Sequence, residues 1–187
     1  MKKKLFSPKL KNFRENAKIK IDNSKCEYID KYTNKRCMNN LDFYPEYCKM
    51  HTIIEYNVYI DKSNILNGNG LFAGAYGFKK NDIIGIYSNP ETKVSLGDLY
   101  KRCDNYDKKE KCWEYVFCKI GHKNNTTCWD NLDIRSSLMR NINDAYNTKY
   151  RNNSYFMVKN NKVYVIASVN IKPKSEIFIN YGKDYWN

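Results

Sequence analysis

The sequence has 187 residues but lacks any run of about 18 apolar residues, the length that a membrane-spanning helix needs. Its basic start, residues 1–6, is not followed by the apolar stretch of a secretory signal peptide. We therefore expect no membrane partner and an intracellular location in a reducing compartment. There the seven cysteines are expected to be thiols or metal ligands rather than disulfides.

Acidic residues are few beside the basic ones: 20 Asp and Glu against 33 Lys and Arg, a net charge of +13. This excess favours polyanionic partners such as nucleic acid or chromatin. Codons rich in A and T also encode Lys, Asn, Ile and Tyr, so a biased genome accounts for the same composition without a binding role. The lysine-rich residues 1–24 are a predicted basic arm, either a DNA-contacting or nuclear-targeting segment or a solvated tail.

Apolar residues make up 42% of the chain, enough for the packed core of one ordinary domain with a small appendage. Composition divides the chain into the basic arm 1–24, a Cys/His segment 25–52 and a main domain 53–187. The main domain has many short strand-like runs, which predict a mostly β fold with few short helices. These predicted strands are residues 57–60, 71–76, 82–87, 113–120, 155–158, 163–167 and 176–181.

Two short sequence patterns predict particular local structures, a helix cap and a hairpin turn. Ser95 can cap a short helix that has Asp98 at its third position. Asn160 and Asn161 separate two apolar runs, and asparagine tolerates the positive φ of a tight hairpin turn.

Histidine occurs only twice, and one of the two lies beside cysteines in the order C-x10-C-x10-C-x2-H. The four candidate ligands, Cys26, Cys37, Cys48 and His51, suit a closed tetrahedral Zn²⁺ site in a segment too small to fold alone. The alternative is a set of scattered thiols. The pattern resembles small DNA-binding fingers with three Cys ligands and one His, in which an aromatic residue, here Tyr47, precedes the last Cys. The other cysteines are expected to be buried free thiols, with a second zinc site as the alternative: Cys103, Cys112, Cys118 and Cys128.

Four segments of the main domain contain candidate functional groups. Gly68-Asn69-Gly70-Leu71 places two glycines before an apolar strand, either for close approach of a ligand or for a plain turn. Residues 81–87 form a predicted buried strand whose last residue, Tyr87, has a phenol side chain. Residues 140–144, Arg-Asn-Ile-Asn-Asp, form a polar cluster, and residues 171–182 contain an acidic turn followed by Asn-Tyr-Gly.

In this order, the four segments resemble the SET domain, whose pattern runs G-x-G, kGd-I-x-x-Y-x-G, R-F-I-N-H-S and I-x-x-G-E-E-L-x-x-x-Y-G. The match spans about residues 56–186 and is similar in particular to the compact SET proteins of large DNA viruses. The resemblance implies a SET-type fold of several small β-sheets with a knot-like threading of the C-terminal segment. It also implies methylation of protein lysines with S-adenosylmethionine as cofactor.

The resemblance assigns roles to the residues that match its motifs. Tyr181 is the principal active-site tyrosine, with Tyr87 as its partner across a narrow lysine channel. The alternative for each is a core tyrosine, since the chain has seventeen. The implied cofactor-binding residues are Gly68, Asn69, Gly70, Leu71, Arg140, Asn143, Asp144 and Tyr181.

Several positions depart from the family's pattern. Asn89 replaces a glycine, Asp144 a histidine and Lys174 another glycine. The C-terminal part of the chain has no cysteine, so the zinc site that follows the SET domain in many members is absent. Tyr185 and Trp186 are candidates to close the peptide channel in its place.

Three functions follow from these patterns. The leading one is lysine methylation of a protein substrate, by family analogy a histone or nucleosome, in the nucleus or, for a viral protein, the host nucleus. The second is a SET-like scaffold without turnover that binds nucleic acid or chromatin through the finger and the arm. The third, a zinc-dependent DNA-binding protein, leaves the C-terminal motifs unexplained.

Overall fold

The computed structural model describes residues 24–88, 92–104, 115–120, 126–131, 133 and 136–186. Within these residues the fold is mostly β with short helices and several small sheets, which confirms the predicted fold class. Residues 1–23 of the predicted arm, Asn89 and Cys112 lie outside the described residues. In the part of the chain that is described, no helix is long and apolar enough to cross a membrane.

Within the described residues the chain forms two α-helices and eight strands. They are α1 (Lys49–Tyr56), β1 (Val58–Lys62), β2 (Asn69–Ala73), β3 (Ile83–Ser88), β4 (Lys93–Ser95), α2 (Leu96–Asp104), β5 (Val116–Ile120), β6 (Thr126–Asp130), β7 (Ser154–Lys159) and β8 (Lys162–Ala167). Short 3-10 turns lie after β6, at Leu138–Asn141, and after β8, at Lys183–Tyr185.

The strands pair into three antiparallel sheets. β1 pairs with β2, β8 lies between β3 and β7, and β6 lies between β4 and β5. Strands β4 and β6 were not predicted, because their polar residues do not give a clear alternating pattern.

The two local signals are confirmed. Asn160 and Asn161 have φ of 51° and 57° and form the two-residue turn between β7 and β8, where positive φ matches the twist of the strands. The Oγ of Ser95 accepts the backbone N–H of Asp98 at 3.0 Å and donates to its carboxylate at 2.7 Å at the start of α2.

The predicted last strand, residues 176–181, is not a regular strand. Its residues form isolated bridges with three separate segments: Glu176 with Phe72, Phe178 with Asn143 and Ile179 with Ser154. Because each bridge has a different partner, no continuous ladder forms. The segment instead ties β2, β7 and residues 142–145 together. The knot-like threading of the C-terminal segment stays a prediction.

The main core lies between the β1–β2 sheet and the paired strands β3 and β8. Residues 138–142 and 176–181 complete it. Alternate residues of β8, namely Val163, Val165 and Ala167, are fully buried, as the period of two in a strand requires. Ile177 and Ile179 are buried in the same core, each contributing about 1.5–3 kcal/mol by burial of its side chain. The core therefore fixes the C-terminal segment that leads to Tyr181.

The Cys/His segment is joined to the main domain by a shared helix and by side-chain contacts. Helix α1 crosses the predicted boundary between residues 52 and 53. The hydroxyl of Tyr44 accepts the N–H of Ile60 at 3.0 Å and donates to its carbonyl oxygen at 3.3 Å. Tyr44 belongs to the main core, so the segment packs on the domain rather than standing apart from it.

The expectation of buried free thiols is wrong for Cys103, Cys118 and Cys128. Cys118 of β5 and Cys128 of β6 form a disulfide, and Cys103 is also disulfide-bonded. Cys118 and Cys128 are directly opposite in the β5–β6 register, and this strand pairing brings their side chains together. Sequence spacing alone gave no sign of it.

Candidate active site and metal centre

Tyr87 and Tyr181 line one cavity of about 50 Å³. Tyr87 lies near the end of β3, and Tyr181 is the last residue of the bridged segment 176–181. The fold thus brings together the two tyrosines that the sequence keeps far apart. The other lining residues are mostly apolar or aromatic: Val116, Phe117, Arg140, Ile142, Phe156 and Tyr185.

Both phenols use their protons in hydrogen bonds to backbone carbonyls. The hydroxyl of Tyr181 donates to the carbonyl oxygen of Ile142 at 2.6 Å, and that of Tyr87 donates to the carbonyl oxygen of Tyr115 at 3.1 Å. A phenol has one proton and two acceptor positions. Each oxygen therefore keeps acceptor capacity for a donor that enters the cavity.

Burial keeps both phenols protonated. It raises the pKa of Tyr87 to about 12, against smaller lowering effects of Asn131 and Arg140. Burial, with the neighbouring tyrosines and Asp144, raises the pKa of Tyr181 further. At neutral pH the two groups act as neutral hydrogen-bonding groups and not as bases.

Arg140 lies in the wall of this cavity. Its Nε donates to the carbonyl oxygen of Asn131 at 3.0 Å, and its guanidinium carbon lies 3.9 Å from the centre of the Tyr115 ring. The arginine is therefore held from two sides beside Tyr87 and Tyr181. Its predicted role in cofactor binding stays a prediction.

The segment from Gly68 to Leu71 forms the start of β2 and its entry. The side-chain amide of Asn143 donates to the carbonyl oxygen of Asn69 at 2.9 Å. Three of the predicted cofactor residues, Asn69, Gly70 and Asn143, therefore lie together with Glu176, whose Oε1 is 3.2 Å from the Asn143 amide.

Glu176 is a buried carboxylate with donors on both oxygens. It accepts the hydroxyl of Ser63 and the backbone N–H of Asn64, each at 2.7 Å. A Cβ at Gly70 would overlap this carboxylate and lie 2.8 Å from its Cδ. The close approach predicted at Gly70 is therefore made by a protein side chain.

Consecutive residues connect this cluster with the cavity. Ile142 lines the cavity and accepts the hydroxyl of Tyr181, whereas the next residue, Asn143, contacts Asn69 and Glu176. A ligand on the Asn143 side is thus one residue along the backbone from the two phenols.

Asp144, which stands in place of the family's histidine, is a buried acceptor for four donors. Its Oδ2 accepts the backbone N–H of Tyr181 at 2.8 Å and the indole N–H of Trp186 at 3.1 Å. Its Oδ1 accepts the backbone N–H of Tyr146 at 3.0 Å and the amide of Asn152 at 2.8 Å. The carboxylate holds the C-terminal segment in place.

The aromatic residues after Tyr181 pack against its ring. Tyr185 lines the cavity and contacts the Tyr181 ring edge-on at 4.7 Å. Trp186 lies parallel to the Tyr181 ring and stacks on Tyr146 at 5.0 Å. Closure of a peptide channel by these residues stays a prediction.

Cys26, Cys37, Cys48 and His51 form a cluster that could hold a metal ion, with the four ligand atoms within 4.8 Å of one another. The Nδ1 of His51 lies 3.3 Å from the Sγ of Cys26 and 3.4 Å from that of Cys48. A tetrahedral Zn²⁺ with Zn–S of about 2.3 Å and Zn–N of about 2.0 Å places S and N about 3.5 Å apart. The donor set and its spacing therefore fit Zn²⁺.

Neighbouring groups hold and tune this cluster. Cys48 caps α1 and His51 lies in its first turn, which explains the spacing of two residues between them. The Tyr28 ring stacks on the His51 ring at 3.8 Å. Burial raises the pKa of Cys26 to about 11. Burial also raises the pKa of Cys48, but hydrogen bonds from His51, Asn39 and the other cysteines outweigh it and lower that pKa.

Sequence reasoning missed several residues of the site. Ser63, Tyr115, Phe117 and Phe156 were not identified. The two phenylalanines lie on short strands and have the same sequence signature as core aromatics. Only the contact of its hydroxyl with the buried Glu176 carboxylate identifies Ser63.

The family model for the SET domain matches residues 68–182, more than half of the chain. The chain belongs to the SET-domain family. The resemblance drawn from the four segments is thus confirmed. No curated protein sequence matches this SET-domain chain.

Solved structures with a similar fold include ctPRC2 in complex with H3K27me3 and H3K27M, at 22% identity and a TM-score of 0.54, over 70% of this chain and 15% of that one. ctPRC2 in an autoinhibited conformation bound to S-adenosylmethionine is 24% identical, with a TM-score of 0.52, over 71% and 16%. CpSET8 from Cryptosporidium is 17% identical, with a TM-score of 0.50, over 67% and 57%. At these identities the likeness shows the fold alone.

Proposed function

We propose that this SET-domain protein transfers a methyl group from S-adenosylmethionine to a lysine of a protein substrate, a histone or nucleosome. The observation that carries the proposal is the cavity in which Tyr87 and Tyr181 face one small, largely apolar space. The similarity to ctPRC2 bound to S-adenosylmethionine and, in another structure, to H3K27me3 supports the choice of cofactor and substrate.

The cavity suits a lysine that must lose its proton. A lysine has a pKa of about 10.4, so its deprotonation at pH 8 costs about 3 kcal/mol in water. Apolar walls disfavour the ammonium form and lower that cost. The phenol oxygens, whose own protons are bound to carbonyls, can accept the remaining N–H groups and so orient the lone pair of the amine.

The cluster beside Asn143 is the proposed cofactor site. Gly68, Asn69, Gly70 and Leu71 would hold S-adenosylmethionine with Asn143, whose neighbour Ile142 lines the tyrosine cavity. At Gly68, Asn69 and Asn143 the edge of this cluster is exposed or half-buried and presents backbone polar groups, which fit the amino-acid part of the cofactor. When bound, S-adenosylmethionine supplies an electrophilic methyl whose bond to sulfur breaks as the amine nitrogen bonds to carbon.

Transfer of label tests the proposal. The purified protein is incubated with radiolabelled S-adenosylmethionine and core histones or nucleosomes, beside Tyr181→Phe and the control Tyr76→Phe, whose side chain is 83% exposed. We expect Tyr181→Phe to lose activity by roughly 10²-fold or more, because the amine loses its orienting oxygen. Tyr76→Phe should retain it.

The alternative is a SET-like scaffold without turnover that binds nucleic acid or chromatin. Asp144 replaces the family's histidine, and both of its oxygens are occupied by donors of the protein, which favours this alternative. Absence of labelling together with absence of cofactor binding in calorimetry would support it and contradict the enzyme.

We propose that Cys26, Cys37, Cys48 and His51 bind one structural Zn²⁺. Their spacing supports this, and ligation of the metal would stabilise a segment with a small core of its own. Metal analysis should find one zinc per chain and less in Cys48→Ser, while the exposed Met50→Ser keeps it. Less than one zinc in the wild type, unchanged in Cys48→Ser, would contradict the proposal.

We propose contact with nucleosomal DNA through the basic arm and the finger, and with it a nuclear location. The positive charge that supports this proposal is concentrated in the arm and not in the finger. Residues 1–24 have eight basic and two acidic residues, whereas residues 25–52 have five and four. Deletion of residues 1–24 should therefore weaken DNA binding and its salt dependence far more than neutralisation of the finger. Equal binding by the deletion variant would contradict a role of the arm.

A further inference from the structure

Two loops that pair with each other contain four exposed lysines. Residues 74–82 lie between β2 and β3, and residues 168–175 lie between β8 and the bridged segment 176–181. Phe78 and Ile171 form an antiparallel bridge between the loops, with N–H···O distances of 2.9 and 2.8 Å. The lysines of the two loops are called the lysine patch: Lys79, Lys80, Lys172 and Lys174.

Hydrogen bonds hold the backbone of the patch in place. The side-chain oxygen of Asn170 accepts the backbone N–H of Lys80 at 2.9 Å, which joins the two loops a second time. The carboxylate of Asp82 accepts the backbone N–H of Lys79 at 2.7 Å. The backbone N–H of Lys174 donates to the carbonyl oxygen of Ala73 at 2.9 Å. A ligand of the patch therefore has to order lysine side chains but not the loops that contain them.

The patch contains a large part of the charge of the main domain. Residues 53–187 have 20 basic and 14 acidic residues, a net charge of +6. The two loops have four lysines and one acid, Asp82, and so contribute +3 of it. All four lysines are exposed, and none forms an ion pair with a residue that the structure describes. Their ammonium groups are therefore available to an anion from outside.

Lys174 occupies a turn position that lysine does not favour. The turn runs from Lys172 to Ser175, has Pro173 at its second position, and is closed by the Ser175 N–H, which donates to the Lys172 carbonyl oxygen at 3.2 Å. Lys174 is at the third position and has φ of 61°. Glycine or asparagine ordinarily takes this position, because a left-handed backbone crowds a Cβ. The turn itself would be better served by glycine, and the lysine adds an exposed ammonium group.

We propose that the lysine patch binds the phosphate backbone of duplex DNA. The proposal does not depend on methyl transfer, and it adds a contact on the SET domain to the one proposed for the arm and the finger. Duplex DNA has one negative charge per about 1.7 Å of helix axis, so ammonium groups on two adjoining loops can meet several phosphates without a shaped pocket.

The composition of the loops favours DNA over an acidic protein. Protein–protein interfaces are enriched in arginine and depleted in lysine, whereas residues 74–82 and 168–175 contain four lysines and no arginine. Lysine ammonium groups act on phosphates as point charges and do not read bases. Binding at the patch should therefore be independent of DNA sequence and should weaken steeply with salt.

The salt dependence of DNA binding tests the proposal. Binding of the full chain to a labelled duplex of about 30 base pairs is measured by fluorescence anisotropy between about 50 and 200 mM salt. The patch variant changes its four lysines to glutamine. The control variant changes four exposed lysines on four different strands to glutamine: Lys62, Lys93, Lys119 and Lys159.

The two variants remove the same charge, so only its position differs. Each phosphate contact contributes about 0.9 to the slope of log K against log salt concentration. We expect the slope of the patch variant to be smaller by about two or more, and its affinity at about 0.1 M salt to be roughly 10²-fold lower. The control variant should lose less than one contact.

Lys174→Gly separates binding from folding. Glycine adopts the φ of 61° without strain, so this variant should unfold at a temperature no lower than the wild type while its slope still falls by about 0.9. If the patch variant does not fold, Lys174→Gly decides alone, and an unchanged slope in it refutes the proposal.

Two further outcomes would overturn the proposal. One is an equal loss of slope in the patch variant and the control variant, since net charge alone would then explain DNA binding. The other concerns vesicles that contain phosphatidylserine, which attract lysine clusters through the same kind of charge. Vesicle binding that the patch variant loses, together with unchanged DNA binding, would assign the patch to a membrane surface.

Discussion

Replacement of Asp144 by asparagine tests how the C-terminal segment is held beside the cavity. The aspartate is 6% exposed, and its two oxygens accept four donors, from Tyr181, Trp186, Tyr146 and Asn152. Asparagine keeps one acceptor oxygen and places an N–H₂ group where the other was. Whichever way the amide turns, two donors then face a donor.

The cost follows from these contacts. A hydrogen bond to a charged group contributes about 1.5–3 kcal/mol, so the loss of two is expected to cost about 3–5 kcal/mol. The Oδ1 pair is local, with partners two and eight residues away, whereas the Oδ2 pair holds the distant C-terminal segment. We expect the amide to keep the local pair and release Tyr181 and Trp186.

Urea unfolding and the fluorescence of Trp186 measure this. The control is Asp42→Asn, an exposed position with φ of 52° that asparagine adopts readily. With a urea slope of about 2 kcal/mol/M, the midpoint of Asp144→Asn should fall by about 2 M, and that of the control should stay within a few tenths. Equal midpoints, with unchanged Trp186 emission, would show that these hydrogen bonds do not hold the segment.

Three further changes have defined outcomes. Gly70→Ala should destabilise by about 2 kcal/mol or more, because its Cβ would overlap the Glu176 carboxylate, whereas Gly97→Ala in α2, with its nearest neighbour atom at 3.9 Å, should stabilise by about 0.5–1 kcal/mol in thermal unfolding. Similar shifts for both would contradict the packing at Glu176. Replacing both cysteines of the β5–β6 disulfide, which are 10 residues apart, by serine should cost about 2–3 kcal/mol in urea, and an unchanged midpoint would argue against the bond. The raised pKa of Tyr87, about 12, means that the folded state binds this proton more tightly than the unfolded state, whose phenol ionises near pH 10. Stability should therefore be lost from about pH 10 to pH 12, by up to about 1.4 kcal/mol per pH unit, and the loss should be shallower in Tyr87→Phe; parallel pH curves would refute the burial of this phenol.

Features that depend on neighbours in the chain could be predicted. The turn at Asn160 and Asn161 needs positive φ, and the cap at Ser95 needs only Asp98 three residues later. The ordered motifs from Gly68 to Gly182 were enough to identify the SET family, because their order is a property of the sequence itself.

Features that depend on contacts between distant segments could not be predicted from the sequence. The disulfide partner of Cys118 is set by the register of β5 and β6. The occupant of the space at Gly70 is Glu176, more than a hundred residues away in the chain. The spacing of these residues in the sequence does not indicate which of them meet in the folded chain.

The sequence by itself predicted the Cys/His cluster, the hairpin, the helix cap and the two tyrosines that share the cavity, since short-range geometry and motif order indicate each. Only the tertiary structure decided that Arg140 would share a cavity with Tyr87 and Tyr181, and that Asp144 would hold the C-terminal segment. Both arrangements arise where residues 138–144 pass between β3 and the segment 176–181, and burial there decides which charged groups face the cavity and which bind the chain.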